Sequence, residues 1–227
     1  MGGSGVLAPL RSAAIAAVLL WPHLPSSQAQ AGAWPRAEGA SFLSFSVQDQ
    51  IDGPDFGAYA SLFYEYGLTD TLTFGIDAGG NLDIGDRRAI LFLRHPIALG
   101  TGANLFAGEI GLGTENGDAA LRPGISWGRS YETGWAKGWM GIESSYALIS
   151  GGGSLAKVDA TFGVDHGAGA LSILQFQYAN GSDGPSTQAL EASRIIPVVE
   201  GFKIEIGASY EAQYETTQVK LGFWKDF

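Results

Sequence analysis

The 227-residue sequence contains no cysteine, which excludes a disulfide framework as the source of its stability. Proline is also scarce, with 9 residues beside 34 glycines, and only 16% of the residues are charged. This composition is typical of a structured β-rich chain rather than a disordered one. A large core or a closed hydrogen-bonded sheet must therefore hold the fold together.

Basic residues are few. The sequence has 13 Lys and Arg against 23 Asp and Glu, a formal net charge of −10. The first 31 residues carry only Arg11, so the remainder has 12 basic and 23 acidic residues, a net charge of −11. Affinity for the phosphate backbone depends on positive charge, so we expect no nucleic-acid partner.

Long apolar runs are missing as well. The candidate near the amino terminus, residues 13–21, is about half as long as the roughly 17 to 25 residues that a membrane-spanning helix needs. No later stretch could cross a bilayer as a helix. Membrane residence would therefore require a β-barrel, because only helices and closed barrels satisfy their backbone groups in lipid.

The amino terminus has the pattern of a secretory signal peptide. Arg11 precedes the apolar run, a Pro-containing break at 22–25 follows it, and Ala29 and Ala31 offer small residues for cleavage. We predict that residues 1–31 are a signal peptide, cleaved after Ala31 or Ala29. We expect residues 32–227 to form a single domain.

Histidine is also rare, and His95 and His166 alone remain after the leader. A Ser-His-Asn or Ser-His-Glu hydrolase, or an Asp-His protease, needs a histidine as general base, and both residues fall in predicted turns without a recognisable motif. The acidic stretches 52–55 and 115–118 lack the spacing of a calcium loop. We therefore predict no enzyme, no metal site and no cofactor.

What the sequence does contain is alternation. In the first predicted strand, Leu43, Phe45 and Val47 share one face, and serine and glutamine residues occupy the other. The pattern recurs about twelve times, in segments of about 10 to 13 residues that suit tilted membrane-crossing strands. The segment 187–196 is the least clear, and Pro123 argues against a central position for the sixth strand.

The predicted connections fall into two sets. Turns after the even-numbered strands, including one at 95–102, lack long runs of Gly, Asn and Asp. Turns after the odd-numbered strands contain such runs, at 52–55, 79–81, 115–118, 151–153 and 180–184. With both termini in the periplasm, the first set would be extracellular. Most of the excess negative charge is predicted there, at Asp49, Asp52, Asp55, Asp83, Asp86, Asp118 and Asp183.

Alternation alone does not say which face points inward, and a soluble lipocalin-like barrel or sandwich with an apolar interior is the alternative. Twelve strands enclose a lumen too wide for their own apolar side chains to fill. We therefore predict an all-β, antiparallel transmembrane barrel whose apolar face meets outer-membrane lipid. Tyr66, Trp127, Tyr146, Tyr178, Tyr210, Phe223 and Phe227 would then form interfacial girdles.

The inward face of this barrel carries equal numbers of acids and bases. The acids are Glu65, Asp77, Glu109, Glu143, Asp159, Glu205 and Glu211, and the bases are Arg88, Arg94, Arg122, Lys137, Lys157, Lys203 and Lys220. These fourteen residues are the candidate lumen lining. Two interpretations stay open: a narrow polar pore, or a cross-linked plug that makes a closed barrel rigid.

The last strand resembles the terminal assembly signal of Gram-negative outer-membrane β-barrels. Phe227, Phe223 and Leu221 share its apolar face, and Lys225 can extend its ammonium to the membrane boundary. The resemblance implies that the barrel-assembly machinery recognises this strand, and that the strand closes the barrel against the first one.

The hairpin at 65–75 resembles one that recurs in the transporter-like family of the phenol-degradation MetA pathway, and residues 32–35 are similar to the mature start of related alphaproteobacterial proteins. The resemblance implies an outer-membrane barrel with a transport role and names no catalytic residue. Our leading hypothesis is a passive channel or transporter for small polar solutes. A structural or adhesive barrel with a plugged lumen is the alternative, and an outer-membrane enzyme comes third.

Overall fold

The computed structural model describes residues 32–227, except 55–56, 84, 86, 99–102 and 183. The predicted signal peptide lies outside the described residues, as do the predicted loop acids Asp55, Asp86 and Asp183. Within the described part there are twelve strands: β1 Ser41–Asp52, β2 Tyr59–Gly67, β3 Thr73–Asn81, β4 Arg87–Ile97, β5 Asn104–Glu115, β6 Asp118–Glu132, β7 Lys137–Ile149, β8 Ser154–Asp165, β9 Leu171–Gly181, β10 Thr187–Val199, β11 Phe202–Glu211 and β12 Thr216–Asp226.

Each strand pairs antiparallel with its neighbours in sequence, and β12 pairs with β1, so the sheet is a closed ring. Phe45 lies opposite Phe223 in this closing ladder, and Val47 lies opposite Leu221. The ladder continues past β12, where the Phe227 N–H donates to the Ser41 carbonyl at 3.0 Å. The predicted twelve-stranded antiparallel barrel, closed by its last strand, is confirmed.

The two ends of the barrel differ in what they hold. The terminal mouth, as we name it, contains residues 32–40, Phe227 and the turns at 68–72, 133–136 and 166–170, whereas the far mouth contains the turns at 82–83 and 150–153. At the far mouth, Asn116 and Gly117 join β5 to β6 with φ of 53° and 92°. Both angles lie in the left-handed region that a two-residue hairpin turn requires, which explains Asn-Gly at this point.

Side-chain exposure shows which face points outward. Leu112 and Leu221 are each 62% exposed on the outside, whereas Glu65 on the inside is fully buried and Arg94 is 4% exposed. A soluble protein has the opposite arrangement, and an apolar exterior is stable only where lipid covers it. The predicted orientation of the two faces therefore agrees with the structure. No helix among the described residues is long and apolar enough to cross a membrane.

Several strand limits differ from the prediction. β4 continues to Ile97, so His95 lies in a strand rather than in a turn, and 79–81 belong to β3 instead of a loop. Asp49 and Asp52 belong to β1, and Asp118 begins β6. These strands extend beyond the apolar repeat because their ladder partners continue to pair, which a single-strand pattern does not reveal.

β6 carries Pro123 and pairs with a neighbouring strand on each side, although the sequence argued against a central position. Pro123 is in register with Ile110 of β5, but the ladder between β6 and β7 omits residues 122 and 123. Proline has no N–H to donate, so the interruption falls where the donor is missing.

Because the closed ladder has no edge from which unpairing can begin, we predict that the folded protein resists SDS at room temperature. It should migrate differently on an SDS gel once boiled. Identical migration of heated and unheated samples would contradict a closed barrel.

The two faces can be tested with neighbouring residues of β2. Leu62→Arg should destabilise the barrel by about 2–4 kcal/mol because it places a charge in lipid near the midplane. Ser61→Arg, which points into the lumen, should be milder. The measurement is urea unfolding in lipid vesicles. If Ser61→Arg lost more stability than Leu62→Arg, the lipid-facing and lumen-facing sides of β2 would be the reverse of those described.

Candidate functional site

The largest group of lumen charges lies on β2 to β6 and forms one continuous chain of ion pairs. Glu65 binds Arg94, which reaches Glu109 at 3.1 Å, and Glu109 binds Arg122 at 3.1 Å. Arg122 also pairs with Asp77, which Arg88 binds at 2.9 Å. We call these six residues the ion network; they hold three acids and three bases.

A second cluster, on the opposite side of the ring, is centred on Lys220 of β12. Its ammonium lies 2.8 Å from Glu191 of β10 and 3.1 Å from Glu205 of β11. Gln48 donates to Glu191 at 2.8 Å, and the Trp224 indole N–H donates to Glu205 at 3.0 Å. The two acids that bind Lys220 therefore come from the two strands that precede β12 in the ring.

Between these clusters lies a third group on β7 and β8. Glu143 is in register with Asp159, and Lys157 follows on the same face of β8. Among the described residues, none of these three side chains forms an ion pair within 4 Å. Two carboxylates directly opposite each other in a ladder repel, and Lys157 on the same face offsets part of their negative charge.

The remaining candidates lie near the two ends. At the terminal mouth, Lys203 binds Asp226 at 3.1 Å, and Lys137, whose side chain is 44% exposed, lies 3.5 Å from Asp165. At the far mouth, Glu211 has a buried Oε1 without a hydrogen-bond partner among the described atoms. Eleven of the fourteen candidates therefore belong to these three groups, and Lys203, Lys137 and Glu211 lie apart from them near the ends.

The far half of the lumen is open. A cavity of about 690 Å³, here called the vestibule, is lined by Gln48, Tyr59, Arg88, Lys157 and Gln177, among others. A second cavity of about 190 Å³ lies deeper and reaches Phe42, Glu143 and Trp139. The two share four lining residues and are therefore adjoining: Ser46, Ser61, Glu191 and Lys220.

Large apolar side chains occupy the terminal half instead, and the cavities there are smaller than the vestibule. Trp139, Leu171, Ile173 and Ile195 form one buried cluster on the inner wall of β7, β9 and β10. Trp34 and Trp224 pack against it. This aromatic cluster was not predicted, because the alternation assigned the inner face to polar residues in general.

Part of this filling comes from outside the strands. The amino-terminal segment, residues 32–40, turns into the barrel at the terminal mouth instead of leaving it. Arg36 binds Glu65 at 2.6 Å, and its backbone N–H donates to Thr73 Oγ1 at 3.0 Å. The Arg36 guanidinium also lies 4.6 Å from the centre of the Phe42 ring. Arg36 thus extends the ion network into a segment that precedes the first strand.

Sequence reasoning missed three important lumen residues. Glu191 lies in the segment 187–196, where Ile195 points inward and Arg194 outward, so the usual pattern is inverted locally. The spacing of Ala189, Glu191 and Ser193 was the signal that could have identified it. Arg36 and Trp34 had no such signal, because they lie before the first alternating segment.

His166 contacts a serine whose hydroxyl oxygen also binds a guanidinium. Its Nε2 lies 2.9 Å from Ser172 Oγ, and Arg194 donates to the same oxygen at 2.8 Å. The described residues contain no cluster of three or more His, Asp or Glu that could hold a metal ion.

The residues of the predicted assembly signal lie on the outer side of β12. Phe223 packs between Phe45 and Phe202, with ring centres 5.8 and 5.7 Å away, and Leu221 is exposed. Phe227 is 67% exposed, and the Lys225 ammonium lies 5.5 Å from its ring. The apolar surface is therefore available at the closing seam.

No protein-family model matches the sequence, and no curated protein is similar enough to match. Among solved structures, a KdgM porin matches with a TM-score of 0.62 at 8% identity, covering 82% of this chain and 99% of that one. A KdgM porin in complex with disordered oligogalacturonate matches at 0.59 and 9%, covering 83% and 99%. A NanC porin matches at 0.61 and 8%, covering 80% and 98%. The chain therefore has the fold of the outer-membrane porin barrels.

The ion network should be important for stability. We predict that Arg94→Gln destabilises the barrel by about 3 kcal/mol, because the buried carboxylate of Glu65 and the partly buried one of Glu109 each lose a charged partner. Lys137→Gln at the exposed rim should change stability by less than about 1 kcal/mol. Urea unfolding followed by tryptophan fluorescence measures both changes in stability. Equal losses of stability in the two variants would show that the ion network stabilises the barrel no more than an exposed ion pair does.

Proposed function

We propose that the protein is a passive outer-membrane channel for small polar solutes. The observation that carries the proposal is the vestibule, a polar cavity of about 690 Å³ inside a barrel with the porin fold. A barrel that served only as a membrane anchor would have no need of a large cavity with polar walls at one mouth. In this proposal the terminal mouth faces the periplasm and the far mouth faces the exterior.

The walls of the vestibule indicate the class of solute. Arg88, Lys157 and Lys220 stand beside Asp159 and Glu191, with amide and phenol groups between them. Such a surface binds hydroxyl and carboxylate groups as well as cations, and it gives little selectivity by charge. One matched protein, a KdgM porin, forms a complex with oligogalacturonate. For this chain we infer small polar solutes and no narrower class.

Three further points belong to the proposal. Residues 1–31 are removed as a signal peptide during export. The barrel-assembly machinery recognises the strand that ends at Phe227, and lipid covers the outer face. Kinship with the transporter-like family of the MetA pathway is supported by the hairpin at 65–75 and by residues 32–35.

A structural or adhesive barrel is the second candidate, and the filled terminal half of the lumen favours it. The aromatic cluster and Arg36 leave no cavity of vestibule size at that mouth among the described residues. Single-channel recording in planar bilayers separates the two functions. Discrete conductance steps from the purified, heat-modifiable protein support a channel, and their complete absence supports the structural role.

The acidic far mouth should make an open channel prefer cations modestly. Acidic groups raise the local cation concentration over about one Debye length, roughly 10 Å at 0.1 M salt, so the preference should fade as salt rises. Asp52→Asn with Asp118→Asn should reduce the preference without affecting assembly. The measurement is the reversal potential under a salt gradient.

Glu132→Gln, which removes one acid at the terminal mouth, is the matched control and should leave the cation preference unchanged. An equal loss of preference in both variants would show that the far mouth does not set the selectivity.

A further inference from the structure

The amino-terminal segment crosses the lumen from one wall to the opposite one. It leaves β1 beside β2, where the Gly39 N–H donates to the Gly67 carbonyl at 2.9 Å. Farther back, Trp34 lies against Gly128 of β6, and Gly32 lies against Glu143 of β7. In a ring of twelve strands, β1 and β7 stand six positions apart. The segment therefore runs across the diameter of the barrel.

Two lumen-facing glycines make room for it. A side-chain carbon at Gly67 would overlap the carbonyl group of Ala37, and one at Gly128 would overlap the Trp34 ring. Every larger residue at these positions would push the segment off the wall. The inner surface is therefore shaped to hold the amino-terminal segment in this position.

The start of the segment lies beside two acids that face each other in the ladder. A side-chain carbon on Gly32 would stand 2.6 Å from Glu143 Oε1. Because a carbon–carbon bond is about 1.5 Å long, the Gly32 α-carbon lies within about 4 Å of that oxygen. Glu143 is opposite Asp159, and neither forms an ion pair with another described residue. A positive charge on the Gly32 nitrogen would remove the repulsion between the two carboxylates.

We propose that the mature chain begins at Gly32, that Glu143 and Asp159 bind its α-ammonium inside the lumen, and that residues 32–40 plug the terminal mouth. A signal peptidase supplies the charge by hydrolysing the bond between Ala31 and Gly32. Water adds across that bond, which leaves a carboxylate on Ala31 and an amine on Gly32 that takes up a proton. The ammonium site stands independently of the channel, whereas the blocking effect rests on the proposed function.

The first experiment determines where the mature chain begins. The mass of the protein purified from bacterial outer membranes should correspond to a chain that starts with Gly-Ala-Trp-Pro. A start at Gln30, two residues earlier, would place the ammonium elsewhere and overturn the assignment.

The second experiment measures whether the α-ammonium is bound. Free α-amines have a pKa of about 7.7–8.0, and each unit by which a carboxylate raises that pKa lowers the reactive fraction about tenfold at neutral pH. Acylation of Gly32 at pH 7, followed by mass spectrometry, should therefore be at least about tenfold slower in the native barrel than in the boiled protein.

Glu143→Gln should remove most of that protection, whereas Glu132→Gln at the exposed rim should preserve it. Both variants are first checked for heat-dependent migration, so that loss of folding is not mistaken for loss of binding. Equal acylation rates in native and boiled wild-type protein would overturn the ammonium site.

The third experiment tests the plug through conductance. A chain that begins at Glu38 lacks the segment's lumen contacts, and it should conduct more than the chain that begins at Gly32. Trp34→Ala should have a smaller effect in the same direction. Trp135→Ala removes the same side chain from an 86% exposed turn and should change nothing.

Unchanged conductance in the shortened chain would overturn the plug. If the shortened chain folds and is electrically silent, the channel itself is refuted, and the acylation rate alone then decides whether the lumen binds the amino terminus. The two proposals therefore fail in different ways.

Discussion

Closure of the backbone hydrogen-bond ladder is the constraint on which the rest of this structure depends. An unpaired N–H or carbonyl group in hydrocarbon costs several kcal/mol, so no strand of a membrane barrel can remain an edge. β12 meets that requirement by pairing with β1 from Phe42 to Asp52, and the chain end adds one more pair at Phe227. Once the ring is closed, the period-two alternation of every strand determines which side chains meet lipid and which enter the lumen.

A ring of twelve strands then creates a second requirement, because its interior is too wide for its own wall to fill. Three different features occupy the lumen of this barrel. Water-accessible cavities occupy the far half, the ion network links five neighbouring strands, and apolar side chains pack the terminal half. Arg36 connects the last two, since its guanidinium binds Glu65 of the network while its segment packs near the aromatic cluster.

The fold could be predicted because its information is local. Leu43, Phe45 and Val47 in β1 show the face of their strand without reference to any other strand, and the count of such segments determines the size of the ring. The predicted ends of the strands were less accurate than the number of strands. β4 runs on to Ile97 because its neighbour continues to pair, and that is a property of two strands together.

The lumen was less predictable for the same reason. The pattern places Glu143 and Arg94 on the inner face, but it cannot say that Arg94 binds Glu65 and Glu109 while Glu143 binds no described base. Those outcomes depend on the curvature of the ring and the lengths of the side chains. The alternating pattern does not place Trp34 and Arg36 in the lumen, because they reach it through a turn of the chain that precedes the first strand.

The absence of cysteine makes one measurement especially direct. Single cysteines introduced along β9 can carry spin labels, whose collisions with lipid-soluble oxygen and with a water-soluble nickel complex are measured separately in lipid vesicles. Labels at Leu174 and Phe176 should collide mainly with oxygen, and labels at Gln175 and Gln177, which line the cavities, mainly with the nickel complex. Alternation in the opposite sense, or no alternation, would contradict a barrel with an apolar exterior and a polar lumen.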